Sequence, residues 1–183
     1  FDVLATPVAG LQVLQRKPIG DDRGYFERLF CMDELQALLP GKRIEQINHT
    51  LTSGRGTVRG LHFQHPPHAE TKFVHCLRGE VFDVAVDLRR GSPTFLRWHA
   101  EVLSAANHRT FVIPEGFAHG FQALADDCEM LYFHTAAYRQ TAEGRLHAQD
   151  PRLAIRWPLP VAGLSPRDAA HAFLDAHFDG VAA

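Results

Sequence analysis

The sequence predicts an all-β fold, a sandwich or small barrel of short strands with few helices. Five segments are rich in β-branched and aromatic residues and alternate in part between apolar and polar positions: Thr71–Leu77, Val81–Leu88, Thr94–Leu103, Arg109–Ile113 and Glu129–His134. Turn-forming residues separate them at Arg78-Gly79 and in the run 90–93. Many short strands at close spacing are typical of this fold class.

The alternation is clearest in Val81–Leu88, because side chains of a strand point to opposite faces in turn. One face is predicted to carry Phe82, Val84, Val86 and Leu88, and the other Val81, Asp83, Ala85 and Asp87. Both faces are mostly apolar, so we expect this strand to be buried on both sides.

Two short helices are predicted outside the strands. Met32–Leu39 has helical character and ends at Pro40-Gly41. Near the C-terminus, Ser165 is a candidate N-cap and Pro166 a candidate first helical residue. We expect this second helix to continue through Ala176.

Length and composition favour one folded domain over residues 1–183. A formal net charge of -2 and 45% hydrophobic residues argue against disorder and against a general nucleic-acid surface. No apolar run reaches the length of a membrane span, and the first residues do not resemble a signal peptide. Cys31, Cys76 and Cys128 are scattered and odd in number, which favours reduced thiols and a cytoplasmic location. We therefore expect neither nucleic acid nor a membrane as a partner.

The chain has twelve histidines, so a metal site is the first hypothesis. The nearest match to a ligand pattern is His62 and His65 with Glu70 following. Residues three apart on a strand point to opposite faces, so these two histidines cannot easily share one ion. We therefore expect no metal here, and expect His65, His68 and His75 on the surface or in loops.

The alternative hypothesis treats His62 as a general base. A neutral imidazole suits proton abstraction near neutral pH, and an ammonium such as Lys72 can stabilise the enolate that results. Arg59 is a candidate clamp for a phosphate. Taken singly, these three could be a core histidine, a solvated lysine and a surface arginine. Their combination with the turn Pro114–Phe121, which carries His119, favours a functional site.

The order and spacing of several short motifs resemble the dTDP-4-dehydrorhamnose 3,5-epimerase family over nearly the whole chain. The motifs are the segments 20–26, 46–48, 59–64, 79–87, 92–95 and 113–121, with Trp157-Pro158 and Leu164-Ser165. The resemblance implies a cupin-type jelly-roll β-barrel with a few short peripheral helices. It also implies an isomerase that needs no cofactor and inverts C3, C5 or both of a dTDP-4-keto-6-deoxy sugar.

The resemblance implies catalytic roles for four residues. His62 is the base and pairs with Asp168, Lys72 stabilises the enolate, and Tyr132 donates a proton on the opposite sugar face. The implied substrate contacts are Arg23, Phe26, Gln46, Asn48, Arg59, Lys72, His119, Tyr138, Glu143 and Arg167. Gln46, Asn48 and Arg59 are expected on the diphosphate, and Tyr138 on thymine.

The resemblance further implies a homodimer in which N-terminal strands are exchanged, so that Arg23 reaches the partner's site. Tyr132 and Tyr138 are six apart and share a face if that segment stays extended.

Asp168 has a second possible role as the acidic residue of a capping box that begins at Ser165. The hydrogen bond to His62 is favoured over it, because a base needs an orienting group.

Some positions depart from the family pattern. Arg28 stands where an acidic residue is usual, and Arg167 replaces a lysine. Two functions from other classes stay open at this point. One is a metal-binding cupin, such as an oxygenase or small-ligand sensor, and the other is a catalytically silent sugar-nucleotide-binding protein.

Overall fold

A computed structural model describes residues 1–182 of the chain, so the last residue of the expected 1–183 domain, Ala183, lies outside the described residues. Two antiparallel sheets face each other and confirm the all-β prediction. The larger sheet has the strand order β1 (Asp2–Ala5), β2 (Gln12–Gln15), β10 (Arg109–Ile113), β7 (Lys72–Arg78), β12 (Cys128–His134) and β5 (Gln46–Thr52). The smaller has the order β13 (Glu143–Arg145), β6 (Val58–Gln64), β11 (Phe117–Ala123), β8 (Glu80–Asp87) and β9 (Trp98–Ser104).

The remaining elements are short. A hairpin of β3 (Ile19–Asp21) and β4 (Gly24–Phe26) stands apart from both sheets. The predicted helix at 32–39 forms as α1 (Met32–Leu35) followed by a 3₁₀ turn, Gln36–Leu38. A second 3₁₀ turn covers Gln140–Ala142, and α2 covers Pro166–Ala169. In the described part of the chain, no helix has the length and apolar character needed to cross a membrane.

Strand β8 is buried on both faces, as its alternation predicts. Val84, Val86 and Leu88 pack into one apolar cluster, which also holds Leu61, Phe63 and Ala118. Val81 and Ala85 point the other way, into the cluster between the two sheets that contains Val74, Phe111 and Phe121. The strand therefore joins two cores.

The strand predicted at Thr94–Leu103 begins only at Trp98, and that part of the prediction is wrong. The Thr94 hydroxyl donates to the buried carboxylate of Asp87 at 2.6 Å. Leu96 has a positive φ of 59°, and the Arg97 N–H donates to the Thr94 carbonyl. These contacts close a turn in which a strand cannot start.

The C-terminal helix is also shorter than expected, because it ends at Ala169 rather than Ala176. Side chains outside the helix hold the chain that follows. The Leu174 N–H donates to Asp150 Oδ2 at 2.5 Å, and the Leu174 side chain packs on the cluster beneath the smaller sheet. Burial of this apolar residue outweighs the helical propensity of an Ala-rich segment.

His75 is fully buried, so its expected surface position is wrong. It lies on β7 in the middle of the larger sheet, where its Nδ1 accepts from the Thr110 hydroxyl at 2.8 Å. Burial lowers the pKa of His75 to about 3, and the nearby Arg16 guanidinium acts in the same direction. The ring is therefore neutral and part of the core.

Candidate active site

A cavity of about 510 Å³ opens between the two sheets. The smaller sheet supplies one wall and the larger sheet the opposite wall. Their functional side chains are Arg59, His62 and His119 on one wall, and Asn48, Lys72, Tyr132 and His134 on the other. The sequence-predicted base, enolate cation and proton donor therefore line one space.

His62 lies on β6 and forms a hydrogen bond to Asp168, which lies on α2. Its Nε2 donates to Asp168 Oδ1 at 2.9 Å, and the Gly60 N–H is 3.5 Å from Asp168 Oδ2. The start of α2 is capped separately, by the Ser165 hydroxyl that accepts from the Asp168 N–H at 3.0 Å. The Asp168 carboxylate contacts His62 and the Gly60 N–H, and the side chain at Ser165 is the N-cap that the sequence predicted.

This pairing fixes the state of the His62 ring. A carboxylate only accepts, so the neutral ring carries its proton on Nε2 and leaves Nδ1 as the basic nitrogen. Burial lowers the pKa of His62, although the hydrogen bond to Asp168 opposes that shift. The ring is neutral at neutral pH and ready to take a proton.

Lys72 belongs to a buried row of three side chains. Its Nζ lies 3.2 Å from Glu70 Oε1, and His134 Nδ1 donates to Glu70 Oε2 at 2.9 Å. Asn48 Nδ2 lies 3.3 Å from the other ring nitrogen of His134. Burial alone would raise the pKa of Glu70, but Lys72 and His134 lower it. The carboxylate therefore stays charged and holds the Lys72 ammonium at the cavity wall.

His119 has its own buried carboxylate. Its Nε2 donates to Asp83 Oδ1 at 2.7 Å, and Asp83 is completely buried. Burial raises the pKa of Asp83, while His119 opposes the shift.

Glu70, His134 and Asp83 were not predicted as site residues. Asp83 could have been suspected, because it falls on an inward face between Val81 and Ala85.

Tyr132 is buried on the wall opposite His62. Its hydroxyl lies 3.5 Å from the Thr50 hydroxyl, and its ring stacks on His134 with centroids 6.1 Å apart. Burial raises the pKa of Tyr132 well above its usual value. The phenol stays protonated, which is the state that a proton donor requires.

A smaller cavity of about 270 Å³ adjoins the first and shares Asn48, His62, Lys72 and His134 with it. Its other polar side chains form a chain of contacts. The Tyr138 hydroxyl donates to Glu143 Oε2 at 3.2 Å, and the Tyr138 N–H donates to Gln46 Oε1 at 2.9 Å. Arg145 and Arg167 pair with Glu143 and lower its pKa although burial raises it.

Tyr138 lines this cavity from a loop and not, as had been expected, from an extended strand. The segment does not stay extended, because β12 ends at His134 and a bend and loop follow. Tyr138 is consequently half exposed, at 49%. Tyr138 therefore lies outside the strand that holds Tyr132, and the two do not share a strand face.

Known proteins resemble the chain throughout. The sequence profile described as dTDP-4-dehydrorhamnose 3,5-epimerase matches residues 5–176. The dTDP-4-dehydrorhamnose 3,5-epimerase of Salmonella typhimurium is 42% identical over 176 residues, which cover 94% of this chain and 95% of that protein. The chain belongs to this family.

Solved structures agree with that assignment. A Legionella pneumophila dTDP-6-deoxy-D-glucose-3,5-epimerase in complex with dTDP-4-keto-L-rhamnose has a TM-score of 0.90 and 40% identity, covering 98% of this chain and 97% of that chain. The 3'-monoepimerase ChmJ of Streptomyces bikiniensis, in complex with dTDP-quinovose, has a TM-score of 0.85 and 29% identity, covering 93% and 86%. The fold of this epimerase-family chain is accordingly the predicted cupin-type jelly roll.

Two predicted substrate contacts of this family member lie away from the cavity. Arg23 and Phe26 are on the β3–β4 hairpin, where both are exposed and border a separate surface depression. Arg23 pairs with Asp21 at 2.5 Å. Arg28, which departs from the family pattern, pairs with Glu34 and lines neither cavity.

We predict that Asp168→Asn lowers turnover by roughly 100- to 10,000-fold, because the amide no longer fixes the His62 tautomer or supports its protonated form. Nucleotide binding should change little, since the Asp168 carboxylate contacts His62, His171 and the Gly60 N–H and makes no hydrogen bond to Gln46, Asn48 or Arg59. Steady-state kinetics with a dTDP-4-keto-6-deoxy sugar and calorimetry with dTDP measure both. Asp33→Asn, the same change at an exposed position on α1, is the control. Normal turnover in Asp168→Asn would contradict the orienting role.

Proposed function

We propose that this chain epimerises a dTDP-4-keto-6-deoxy sugar at carbons next to the C4 ketone, as in dTDP-L-rhamnose-type biosynthesis. The observation that carries the proposal is the cavity with a carboxylate-paired histidine on one wall and a protonated tyrosine on the other. Inversion needs a base on one face of the sugar and an acid on the opposite face. Two walls of one cavity supply them.

In the proposed reaction, His62 Nδ1 takes the proton from C3 or C5. The electron pair of the broken C–H bond forms a double bond to C4, and the π electrons of the carbonyl move onto the C4 oxygen, so that the sugar becomes an enolate. The ammonium of Lys72 stabilises this developing charge. When the carbonyl re-forms, Tyr132 gives its phenolic proton to the same carbon from the opposite face. The protons of His62 and Tyr132 then re-equilibrate with solvent.

The substrate's electrons stay within the sugar throughout, so the proposed chemistry calls for no redox cofactor. Family membership supports this epimerase over the metal-binding cupin and over the silent sugar-nucleotide-binding protein. Which of C3 and C5 is inverted is part of the proposal, because a 3'-monoepimerase is among the structural relatives.

Substrate binding is proposed to use both cavities. Arg59 lines the larger cavity, with Nε donating to Thr52 Oγ1 at 2.9 Å, so its guanidinium is held in one place for a phosphate. Gln46 and Asn48 are proposed to join it on the diphosphate. The proposed neighbours of the sugar and base are His119, Tyr138, Glu143 and Arg167.

The proposal is tested by NMR of the chain mixed with dTDP-4-keto-6-deoxy-D-glucose in deuterated water. We expect deuterium at C3, C5 or both, and loss of exchange by roughly 100-fold or more in His62→Ala, because the base is removed. His65→Ala changes an exposed histidine at the end of the same segment and should exchange normally. Unaltered exchange in His62→Ala would remove His62 as the base, and no exchange in the wild type would reject the function.

Tyr132→Phe separates the two half-reactions in the same experiment. We expect it to slow formation of the inverted sugar far more than it slows deuterium exchange, because His62 still removes and returns a proton on its own face. The ratio of inversion to exchange is the measurement. An unchanged ratio would assign the proton donor to another group.

We further propose a homodimer in which the β3–β4 hairpin of one chain completes the cavity of its partner. The hairpin exposes Ile19, Tyr25 and Phe26 at 75%, 62% and 68%. Three large apolar side chains on an isolated two-stranded hairpin favour a protein partner. Arg23 at its tip, with 88% of its side chain exposed, would then reach the substrate.

A cytoplasmic location also stays a proposal, supported by three free cysteines.

Mixed dimers test the exchange of hairpins. Arg23→Ala and His62→Ala chains should each be impaired alone. After unfolding and joint refolding, a mixed dimer has one site with both defects and one with neither, so about a quarter of wild-type activity should return. Each variant refolded alone is the control. No recovery on mixing would place Arg23 and His62 of one chain in the same site.

A further inference from the structure

A second histidine contacts Asp168 behind the proposed active site. His171 Nε2 lies 3.6 Å from Asp168 Oδ1, the same oxygen that His62 contacts. The ring of His171 packs edge-to-face on that of His62, with centroids 5.5 Å apart. The His171 side chain is only 4% exposed, so its nitrogens are cut off from bulk water. Neither the proposed proton transfers nor the proposed substrate contacts use it.

The backbone fixes which nitrogen of His171 carries a proton. Its Nδ1 lies 3.2 Å from the Leu146 carbonyl oxygen, which can only accept, so Nδ1 is the donor. In the neutral ring the lone pair is then on Nε2. That nitrogen is buried and has no hydrogen-bond partner within residues 1–182. The Nε2 lone pair and a carboxylate oxygen therefore lie 3.6 Å apart, and a cation bound between the two atoms would remove their repulsion.

The separation of the two atoms suits a metal ion better than a shared proton. At 3.6 Å, Nε2 and Oδ1 are too far apart for a hydrogen bond. Bonds of about 2.0–2.1 Å to a tetrahedral zinc ion place neighbouring ligand atoms about 3.3 Å apart. The observed separations of 2.9 and 3.6 Å lie on either side of that value, and all three ligand atoms lie within 4.8 Å of one another.

We propose that His62, Asp168 and His171 form a binding site for a zinc ion that inhibits the enzyme. Two imidazoles and one carboxylate suit zinc, and the open face of His62 toward the cavity leaves a fourth position for water. The carbonyl of Leu146 holds His171 as backbone acceptors commonly hold metal-binding histidines, by taking the proton of the other ring nitrogen.

Zinc at this site changes the tautomer of His62. The ion takes the lone pair of Nε2, so the single proton of the neutral ring moves from Nε2 to Nδ1. Nδ1 is the nitrogen proposed to receive the substrate proton, and once protonated it cannot do so. The ion also removes the hydrogen bond between His62 and Asp168. The inhibition rests on the role proposed for His62, whereas the binding of zinc does not.

Zinc binding is measured directly, by titrating zinc chloride into the metal-free homogeneous protein in competition with a coloured chelator. We expect one zinc ion per chain. In His171→Asn and His171→Phe the zinc affinity should fall by at least roughly 10- to 100-fold, because loss of a residue that only hydrogen-bonds to a metal ligand already lowers affinity by that factor. Phe keeps a flat ring in the buried position if Asn disturbs folding. His177→Asn, the same change at an exposed position six residues further along the chain, is the control.

Activity is the second measurement. Zinc should inhibit the wild type and His177→Asn reversibly, with full recovery on adding EDTA, and should inhibit the His171 variants only at higher concentration. Binding with unchanged affinity in both His171 variants, or no stoichiometric binding by the wild type, would overturn the proposal. Stoichiometric, His171-dependent binding without inhibition would keep the zinc site and reject the role of His62 as base.

Discussion

The hydrogen bond between His62 and Asp168 is the interaction on which the site depends. It joins residues 106 positions apart, and Asp168 supplies it from the first turn of α2, whose N-cap is Ser165. That carboxylate fixes the tautomer of the ring and would support the charge that the ring gains in the proposed reaction. The jelly roll supplies the frame, since β6 sets His62 on a wall of the cavity.

Other buried basic side chains of the cavity also contact a carboxylate. Lys72 has Glu70, and His119 has Asp83. Burial of an unpaired charge would cost far more than these pairs do. The pairing with Glu70 also holds Lys72 in place, so that it could stabilise charge in the proposed reaction without reorganising.

The sequence predicted the strands well where alternation was strong, as in Val81–Leu88, and secondary structure poorly where specific side-chain contacts decided the outcome. The strand expected from Thr94 is a turn because Asp87 accepts from its hydroxyl, and the C-terminal helix stops early because Leu174 is held elsewhere. Neither contact has a local sequence signal.

His62 and Lys72 were predicted from their own chemistry, and Tyr132 and the role of Asp168 from the family resemblance; all four line one cavity. The partners Glu70, Asp83, His134 and His171 were missed as site residues. A histidine or acid in a sequence shows neither its burial nor the residue it faces, since both are set by strand pairing. For the same reason His75, in a histidine-rich stretch, was predicted at the surface although it belongs to the core.

The tautomer of His62 tests the central claim most directly. Nitrogen-15 NMR of the histidine-labelled protein at neutral pH, with EDTA present and the His62 signals assigned by their loss in His62→Ala, reports the protonation of each ring nitrogen. We predict a protonated Nε2 and an unprotonated Nδ1, with this preference lost in Asp168→Asn. A wild-type ring with its proton on Nδ1 would contradict the account, because His62 could then neither donate to Asp168 nor accept the substrate proton.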